Sequence, residues 1–186
     1  MKNPHLLLLR FSALGDVAMT VPVIRCLYKS QPNLKITFVS RPYFEPLFAE
    51  FENFNFYPLD IVDRHKGLKG IWTLFKELKK IPFSGVADLH GVLRTYLLSF
   101  LFTTTFFRVK QINKGRIEKH QLTREKNKKF QPLTPTIFRY ADVFRKLGFS
   151  INIEDHEFPD KNPIPENFTN LCNETDKKWI GIAPFA

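Results

Sequence analysis

The chain has 186 residues, of which 44% are hydrophobic and 25% charged; this composition indicates a folded globular protein and excludes a disordered or fibrous one. Its 28 basic and 18 acidic residues give a net charge of +10, which favours polyanionic partners such as nucleic acid, anionic lipid or a phosphorylated substrate. Cys26 and Cys172 form no CxxC spacing, so we expect no disulfide framework.

The stretch from Leu6 to Asp16 predicts a buried strand that runs into a loop of small residues. Four consecutive leucines leave no polar alternation, which is typical of a parallel strand covered by helices on both faces. Ser12, Ala13 and Gly15 follow the strand. Ligands bind at the carboxyl edge of open α/β sheets, so we expect the functional site there.

Alternating strands and helices follow this stretch. Apolar spacing over 17–27 predicts a helix with Thr20 as its N-terminal cap. We then expect a strand at 35–39, a short helix at 43–51 and an edge strand at 54–58. This β-α-β-α-β order predicts a parallel sheet.

The second half of the chain continues the alternation as far as residue 111. Its predicted elements are helices at 71–78, 92–102 and 137–147 and strands at 84–88 and 106–111. The longest apolar run, 95–107, has 13 residues. A membrane-spanning helix needs about 20, so we expect none here. We also predict a linker at 156–165 and a new strand at 179–184.

Residues 110–130 are strongly basic and have lost apolar periodicity. Eight lysines and arginines are accompanied only by Glu118 and Glu125. The pattern predicts a long basic loop or a frayed helix. Together with Arg64-His65-Lys66, it forms either a solvated surface or two anion-binding clusters that converge on one phosphorylated ligand. Aromatic residues do not interleave with the basic run, so we do not expect nucleic acid as the partner.

The first strand–loop unit lacks a dinucleotide fingerprint. Gly15 is the only glycine before residue 67, and GxGxxG is absent, which argues against a nicotinamide or flavin enzyme. No two of the five histidines have zinc-ligand spacing with cysteines or acids, so we expect no metal site.

Two strand ends carry the candidate site residues. Asp16 either complements a helix N-terminus or acts as a general base that accepts a proton from an attacking hydroxyl. At the second strand end, His90, Gly91 and Arg94 follow Asp88. In one interpretation His90 is a structural histidine, Gly91 forms a turn and Arg94 is a surface charge. In the other, all three belong to the functional site.

Four segments of the chain resemble the ADP-heptose:lipopolysaccharide heptosyltransferase family. The opening, Arg10 to Asp16 followed by Thr20-Val21-Pro22, is similar to the beginning of that family. Residues 86–94 resemble its second signature, 112–119 its basic acceptor-side segment, and 180–184 the strand that opens its second domain.

The resemblance implies an α/β fold: a Rossmann-like parallel sheet with helices on both faces, the amino-terminal half of a GT-B fold. Residues 1–160 would be the acceptor-binding domain, and 161–186 a linker and the first strand of a truncated donor-binding domain. The implied reaction is inverting transfer of heptose from ADP-heptose to the phosphorylated inner core of lipopolysaccharide, without a metal or cofactor. By itself, this acceptor half is expected to be inactive.

The resemblance also assigns roles to residues and partners. Asp16 would be the catalytic base, and the substrate-binding positions would be Ser12, Ala13, Leu14, Gly15, Arg64, Lys66, His90, Gly91, Arg94, Lys114 and Arg116. The implied partners are a lipid-linked phosphorylated sugar acceptor, a nucleotide-sugar donor and an anionic membrane. The implied location is cytoplasmic, at the inner face of the cytoplasmic membrane. Two alternatives are another GT-B sugar transferase and a non-catalytic basic module that binds anionic lipid or nucleic acid.

Overall fold

A five-stranded parallel sheet organises the part of the chain that the computed structural model describes, residues 4–158 with Ile180 and Ile182. The strands are β1 (His5–Leu9), β2 (Lys35–Ser40), β3 (Phe54–Pro58), β4 (Gly85–Asp88) and β5 (Arg108–Gln111), in the order β3-β2-β1-β4-β5. The predicted domain boundary, the strand predicted at 179–184, most of the predicted linker and Cys172 fall outside the described residues, apart from Ile180 and Ile182.

Helices cover both faces of the sheet, as predicted. They are α1 (Leu14–Ala18), α2 (Thr20–Ser30), a 3-10 helix (Pro42–Phe48), α3 (Gly67–Leu78), α4 (Leu93–Thr104), α5 (Arg116–Thr123) and α6 (Thr136–Leu147). Successive side chains of a strand point to opposite faces. Leu6 and Leu8 therefore pack in the core beneath α2 and α6, and Leu7 and Leu9 pack in the core beneath α3 and α4.

The central position of β1 places its carboxyl end at the point where the strand order reverses. Leu9 pairs with Val39 of β2 on one side and with Asp88 of β4 on the other. The chain first moves outward through β2 and β3 and then crosses to β4 and β5. Ligands of open α/β sheets bind in the crevice at such a switch point.

Helix α4 is the strongly apolar helix that the sequence predicts. Its Phe102 is fully buried against Phe75 of α3 and Phe83, at ring-centroid distances of 5.0 and 5.4 Å. In the described part of the chain, no helix is long and apolar enough to cross a membrane.

For the basic segment 110–130, which the sequence predicts as a long loop or a frayed helix, the structure contains helix α5 at 116–123, none of whose residues is buried. Two other local predictions are corrected by the structure. The predicted cap, Thr20, instead donates its hydroxyl to the Val17 carbonyl at 2.7 Å, because α2 continues almost directly from α1. The last strand begins at Arg108 rather than at Phe106, which has a positive φ of 66° and is 98% exposed.

Candidate functional site

An ion pair between Arg10 and Asp16 lies at the carboxyl end of β1. The Arg10 side chain is 5% exposed and that of Asp16 is 41% exposed. Arg10 also donates an Nη1 hydrogen bond to the Leu89 carbonyl at 2.8 Å, and its Nε is buried without a partner among the described residues. Arg10 pairs with Oδ2 of Asp16 through Nη2 and so holds the carboxylate in position.

The loop after β1 and the first residues of α1 are open to solvent. The predicted loop is shorter than expected, because α1 already begins at Leu14. Ser12 is half-buried, whereas Ala13, Leu14 and Gly15 are exposed. A Cβ added to Gly15 would have no heavy atom within 4 Å. A ligand can therefore approach the main chain of this loop closely, as its predicted substrate-binding role requires.

Asp88 shapes the neighbouring turn from inside the protein. It is fully buried, and its Oδ1 accepts hydrogen bonds from the main-chain N–H groups of His90 and Gly91, both at 2.9 Å. Gly91 has a φ of +58°, which favours glycine. Burial raises the pKa of Asp88, against the opposing effect of the two main-chain hydrogen bonds. Asp88 is therefore a structural acid beneath the site.

His90 is a neutral, half-buried member of the site. Its Nδ1 accepts a hydrogen bond from the Phe11 N–H at 3.4 Å, which assigns the proton to Nε2. Burial lowers the pKa of His90 to about 4, with a further contribution from the positive charges of Arg10 and Lys114. At neutral pH, His90 can donate or accept a hydrogen bond but carries no charge for binding an anion.

A cavity of about 380 Å³ opens beside the Arg10–Asp16 pair. The cations that line it are Arg10, Lys114, Lys119 and Arg139. Among the described residues that line the cavity, Asp16 is the one with an acidic side chain. Thr134 and Thr136 add hydroxyl groups. The excess of cations suits a ligand with phosphate or carboxylate groups.

Lys114 contributes to the positive potential of this cavity. Burial lowers its pKa, and the neighbouring charges of Arg10 and Arg116 lower it further. Like charges destabilise one another when they are close, so an anion placed between them is favoured. This residue and Arg116 come from the segment after β5 that the resemblance assigned to the acceptor.

Arg139 of α6 attaches the basic segment to the rest of the domain. It is 8% exposed and donates hydrogen bonds to the carbonyls of Thr134 at 3.0 Å and Asn113 at 3.1 Å. It also pairs with Glu118 of α5 at 2.6 Å. These contacts explain how α5 is held in place without buried residues of its own.

Tyr140 supports the site from beneath. It is fully buried and donates its hydroxyl to the main-chain carbonyl of Asp16 at 3.1 Å. The Arg10 guanidinium lies 5.9 Å from the centroid of its ring. Burial raises the pKa of Tyr140 to about 12, so it remains a neutral donor at physiological pH.

The structure brings some predicted site residues together and leaves others apart. Asp16 and Lys114 line one cavity, whereas Arg94 of α4 does not line it. Arg64 and Lys66 follow β3, at the opposite edge of the sheet from β5, and Arg64 pairs with Glu77 at 2.5 Å. The two basic clusters are thus not brought to a single cavity.

The site also contains residues that the sequence analysis did not select. Four such residues contact Asp16 or line its cavity: Arg10, Lys119, Arg139 and Tyr140. For Arg10, the sequence does contain a signal. An arginine directly after four leucines ends a buried strand with a charge, and a buried charge needs a partner. For Arg139, the sequence contains no such signal, because a single charge in an amphipathic helix is usually on the solvated surface.

The arrangement can bind an anionic ligand and remove a proton from it. A positioned carboxylate can act as a general base, and the surrounding cations can hold phosphate groups by charge-assisted hydrogen bonds. Among the residues that the structure describes, no group of three or more His, Cys, Asp or Glu side chains is placed to hold a metal ion.

The fold and the site together define a Rossmann-like α/β domain with a cation-lined cavity at the carboxyl edge of its sheet. Comparison with known proteins identifies this class more closely. No family model matches the chain. Over 94 residues it is 28% identical to the lipopolysaccharide core heptosyltransferase OpsX of Haemophilus influenzae, a match that covers 50% of this chain and 26% of that protein.

Three solved structures that resemble this fold are glycosyltransferases. A glycosyl transferase family 9 protein from Veillonella parvula superposes with a TM-score of 0.56 at 21% identity, over 81% of this chain and 43% of that one. The E. coli heptosyltransferase WaaC with ADP superposes with a TM-score of 0.55 at 16% identity, over 80% of this chain and 49% of that one. The same enzyme with ADP-2-deoxy-2-fluoro heptose superposes with a TM-score of 0.56 at 16% identity, over 80% of this chain and 50% of that one.

These matches confirm the predicted resemblance to the heptosyltransferase family over the part of the chain that they cover. They also confirm the predicted fold class, a Rossmann-like parallel sheet that corresponds to the amino-terminal half of a GT-B fold. The chain spans half or less of the length of each of these proteins.

Proposed function

We propose that this chain is the acceptor-binding half of a glycosyltransferase that transfers heptose from ADP-heptose to the phosphorylated inner core of lipopolysaccharide. The observation that carries the proposal is the Arg10–Asp16 pair at the border of a cavity lined by cations. The sequence similarity to a lipopolysaccharide core heptosyltransferase and the fold similarity to WaaC support the choice of reaction.

In this proposal Asp16 is the general base. An acceptor hydroxyl donates its proton to Oδ1 while its oxygen forms a bond to the anomeric carbon of heptose, and the bond from that carbon to ADP breaks on the opposite side. The configuration of that carbon is therefore inverted. Arg10 holds Oδ2, so the free oxygen is oriented before the acceptor arrives.

The cations around the cavity bind the acceptor. Lys114 and Lys119 in the cavity lining contact its phosphate groups, and the neighbouring charge of Arg116 adds to the attraction. The exposed segment from Ser12 to Gly15 contacts its sugar rings. Neutral His90 is a hydrogen-bond partner for a sugar hydroxyl. The donor binds in a second domain, and the reaction needs no metal. An acceptor that carries a lipid requires the protein to work at the inner face of the cytoplasmic membrane, which the net charge of +10 favours.

A transfer assay tests the base. The natural protein that carries this chain is assayed with ADP-heptose and a heptose-deficient, phosphorylated core acceptor, as wild type and as Asp16→Asn. We expect the substitution to lower turnover by about 10²-fold or more while acceptor binding persists, since general base catalysis contributes about 10²–10⁴-fold.

Asp142→Asn is the matched control, because Asp142 forms an exposed ion pair with Arg145 on α6. It should keep wild-type turnover. Near-normal turnover of folded Asp16→Asn would exclude Asp16 as the base. Absence of transfer by the wild type, together with tight binding of oligonucleotides, would favour the alternative of a basic binding module.

A further inference from the structure

Helices α3 and α4 present an outer surface that is both apolar and basic, which we call the α3–α4 face. It consists of the outward side chains Leu68, Lys69, Trp72, Lys76 and Leu93. Leu68 is 74% exposed, Trp72 48% and Leu93 75%. The two helices pack against each other on one side of the sheet, so these side chains belong to one layer of the domain.

No free carboxylate accompanies the cations of this face. Helix α4 contains no acidic residue, and α3 contains only Glu77. Glu77 is turned inward, where it accepts hydrogen bonds from Tyr57 at 2.5 Å and His65 at 3.0 Å and pairs with Arg64. Among residues 4–158, no carboxylate forms an ion pair with Lys69 or Lys76.

Two lysine ammonium groups on the same layer lie above aromatic rings. The Lys76 ammonium lies 5.6 Å from the centroid of the Trp72 ring, and the Lys79 ammonium lies 5.8 Å from that of Phe75. A cation above an amphipathic ring is the arrangement that suits the interface between lipid headgroups and acyl chains.

The opposite layer of the domain differs in charge. There, α2 and α6 carry cations that are already paired, in the ion pairs Arg25–Glu50, Lys29–Glu157 and Arg145–Asp142. A basic surface whose charges are neutralised has little attraction for a polyanion. Lys69 and Lys76 have no such partner in residues 4–158, and the same is true of Lys146 on α6 and of the lysines in the basic segment 110–130. The α3–α4 face combines its unpaired cations with exposed apolar side chains.

We propose that the α3–α4 face is the surface by which this protein docks on an anionic phospholipid bilayer. Leu68 and Leu93 insert among the headgroups, and Lys69 and Lys76 contact the lipid phosphates. Both leucines lie in the first turns of helices that follow β3 and β4, and therefore at the sheet edge that carries Asp16. Docking here brings this edge of the sheet to the lipid surface.

This inference rests on the proposed function, because that function supplies the reason for an encounter with the membrane. It also gives a role to three predicted binding residues that do not line the cavity. Lys66 directly precedes α3, Arg64 lies in the loop before it, and Arg94 is the second residue of α4. All three belong to the basic border of the docking surface rather than to the cavity.

Flotation of the full chain with lipid vesicles tests the proposal. The wild type should float with vesicles of phosphatidylethanolamine and phosphatidylglycerol and not with vesicles of phosphatidylcholine alone. The double variant Leu68→Ser/Leu93→Ser should bind the anionic vesicles about tenfold more weakly or worse, since inserted apolar area is lost. Both side chains are largely exposed, so the fold should be unchanged, which circular dichroism would verify.

The matched control is Tyr43→Ser/Ile117→Ser, which removes two apolar side chains that are 63% and 75% exposed on other elements. It should bind as the wild type does. For the charges, Lys69→Gln should weaken binding about fivefold, the effect of one lysine near an anionic surface. Lys35→Gln, on an exposed lysine at the first residue of β2, should have no effect.

The outcomes separate this inference from the proposed function. Wild-type vesicle binding by Leu68→Ser/Leu93→Ser, or a loss confined to Tyr43→Ser/Ile117→Ser, would overturn the docking surface. So would a wild-type chain that binds oligonucleotides and ignores anionic vesicles. Transfer to a lipid-free acceptor is measured separately in the natural protein, and its failure would contradict the proposed reaction without changing the vesicle result.

Discussion

Gly115 and Arg139 are in contact across the wall of the cavity, and the guanidinium of Arg139 occupies the space that a Cβ at position 115 would need. Gly115 has a φ of +60° and directly precedes α5. The contact joins the basic segment after β5 to helix α6. The placement of Lys114 and Lys119 in the cavity therefore depends on this contact between a glycine and an arginine that itself lines the cavity.

The variant Gly115→Ala should be destabilised by more than backbone strain alone. A left-handed conformation costs a non-glycine residue about 1–2 kcal/mol. A methyl group at 115 would also displace Arg139 from its hydrogen bonds to Thr134 and Asn113, each worth about 0.5–1.5 kcal/mol. Urea unfolding of wild type and variant measures the sum.

Gly67→Ala is the control for that experiment. Gly67 has nearly the same φ, +61°, but an added Cβ would have no heavy atom within 4 Å. It should lose only the strain energy, about 1–2 kcal/mol. Equal losses in the two variants would show that the contact between Gly115 and Arg139 contributes nothing.

The variant Arg10→Met should lower the free energy of unfolding by about 2–3 kcal/mol, the range for hydrogen bonds that involve a charged group. It removes the buried guanidinium, leaving the Leu89 carbonyl without its donor and Asp16 without its partner. Asp142→Asn breaks an exposed ion pair and should lower it by less than about 1 kcal/mol. A loss below 1 kcal/mol for Arg10→Met would contradict the structural role of this arginine.

His90 should make the stability of the domain fall on acidification. Its pKa is lowered to about 4 in the folded state, whereas an unfolded histidine has a pKa near 6.5. Between these values the unfolded chain binds more protons, so stability is complete above pH 6.5 and decreases as the pH falls towards 4.

The variant His90→Phe should lose this part of the pH dependence. The difference in unfolding free energy between wild type and variant, measured by urea unfolding across pH 4–7, isolates it from the titration of carboxylates. His120→Gln, on the exposed surface of α5, should keep the wild-type slope. An unchanged slope in His90→Phe would contradict the burial of a neutral imidazole.

The variant Lys114→Gln should weaken binding of a phosphorylated core oligosaccharide, freed of its lipid, by about tenfold or more. It removes a partly buried cation from the cavity, and one charge-assisted hydrogen bond is worth about 1.5–3 kcal/mol. Lys128→Gln, in the exposed stretch after α5, should bind normally. Isothermal titration calorimetry of both variants gives the comparison. Equal weakening would indicate a diffuse attraction by net charge.

Local sequence patterns predicted most of the sheet. Three strands were identified because buried parallel strands carry continuous apolar residues: β1, β2 and β4, which ends at Asp88. Helices α3 and α6 were identified because each has one apolar face that must pack on the sheet. Helix α5 was not distinguished from a loop, because its stability comes from a contact with Arg139 rather than from apolar periodicity.

The sequence by itself determined that a parallel sheet would place the segment from Ser12 to Asp16 at its carboxyl edge, since strand hydrophobicity and small-residue turns are local properties. Only the tertiary structure decided which cations accompany Asp16. Lys114 reaches the cavity because β5 lies on the β4 side of β1, and Arg64 does not because β3 lies at the other edge. Strand order depends on how the crossovers pack over the whole sheet, which no local pattern encodes.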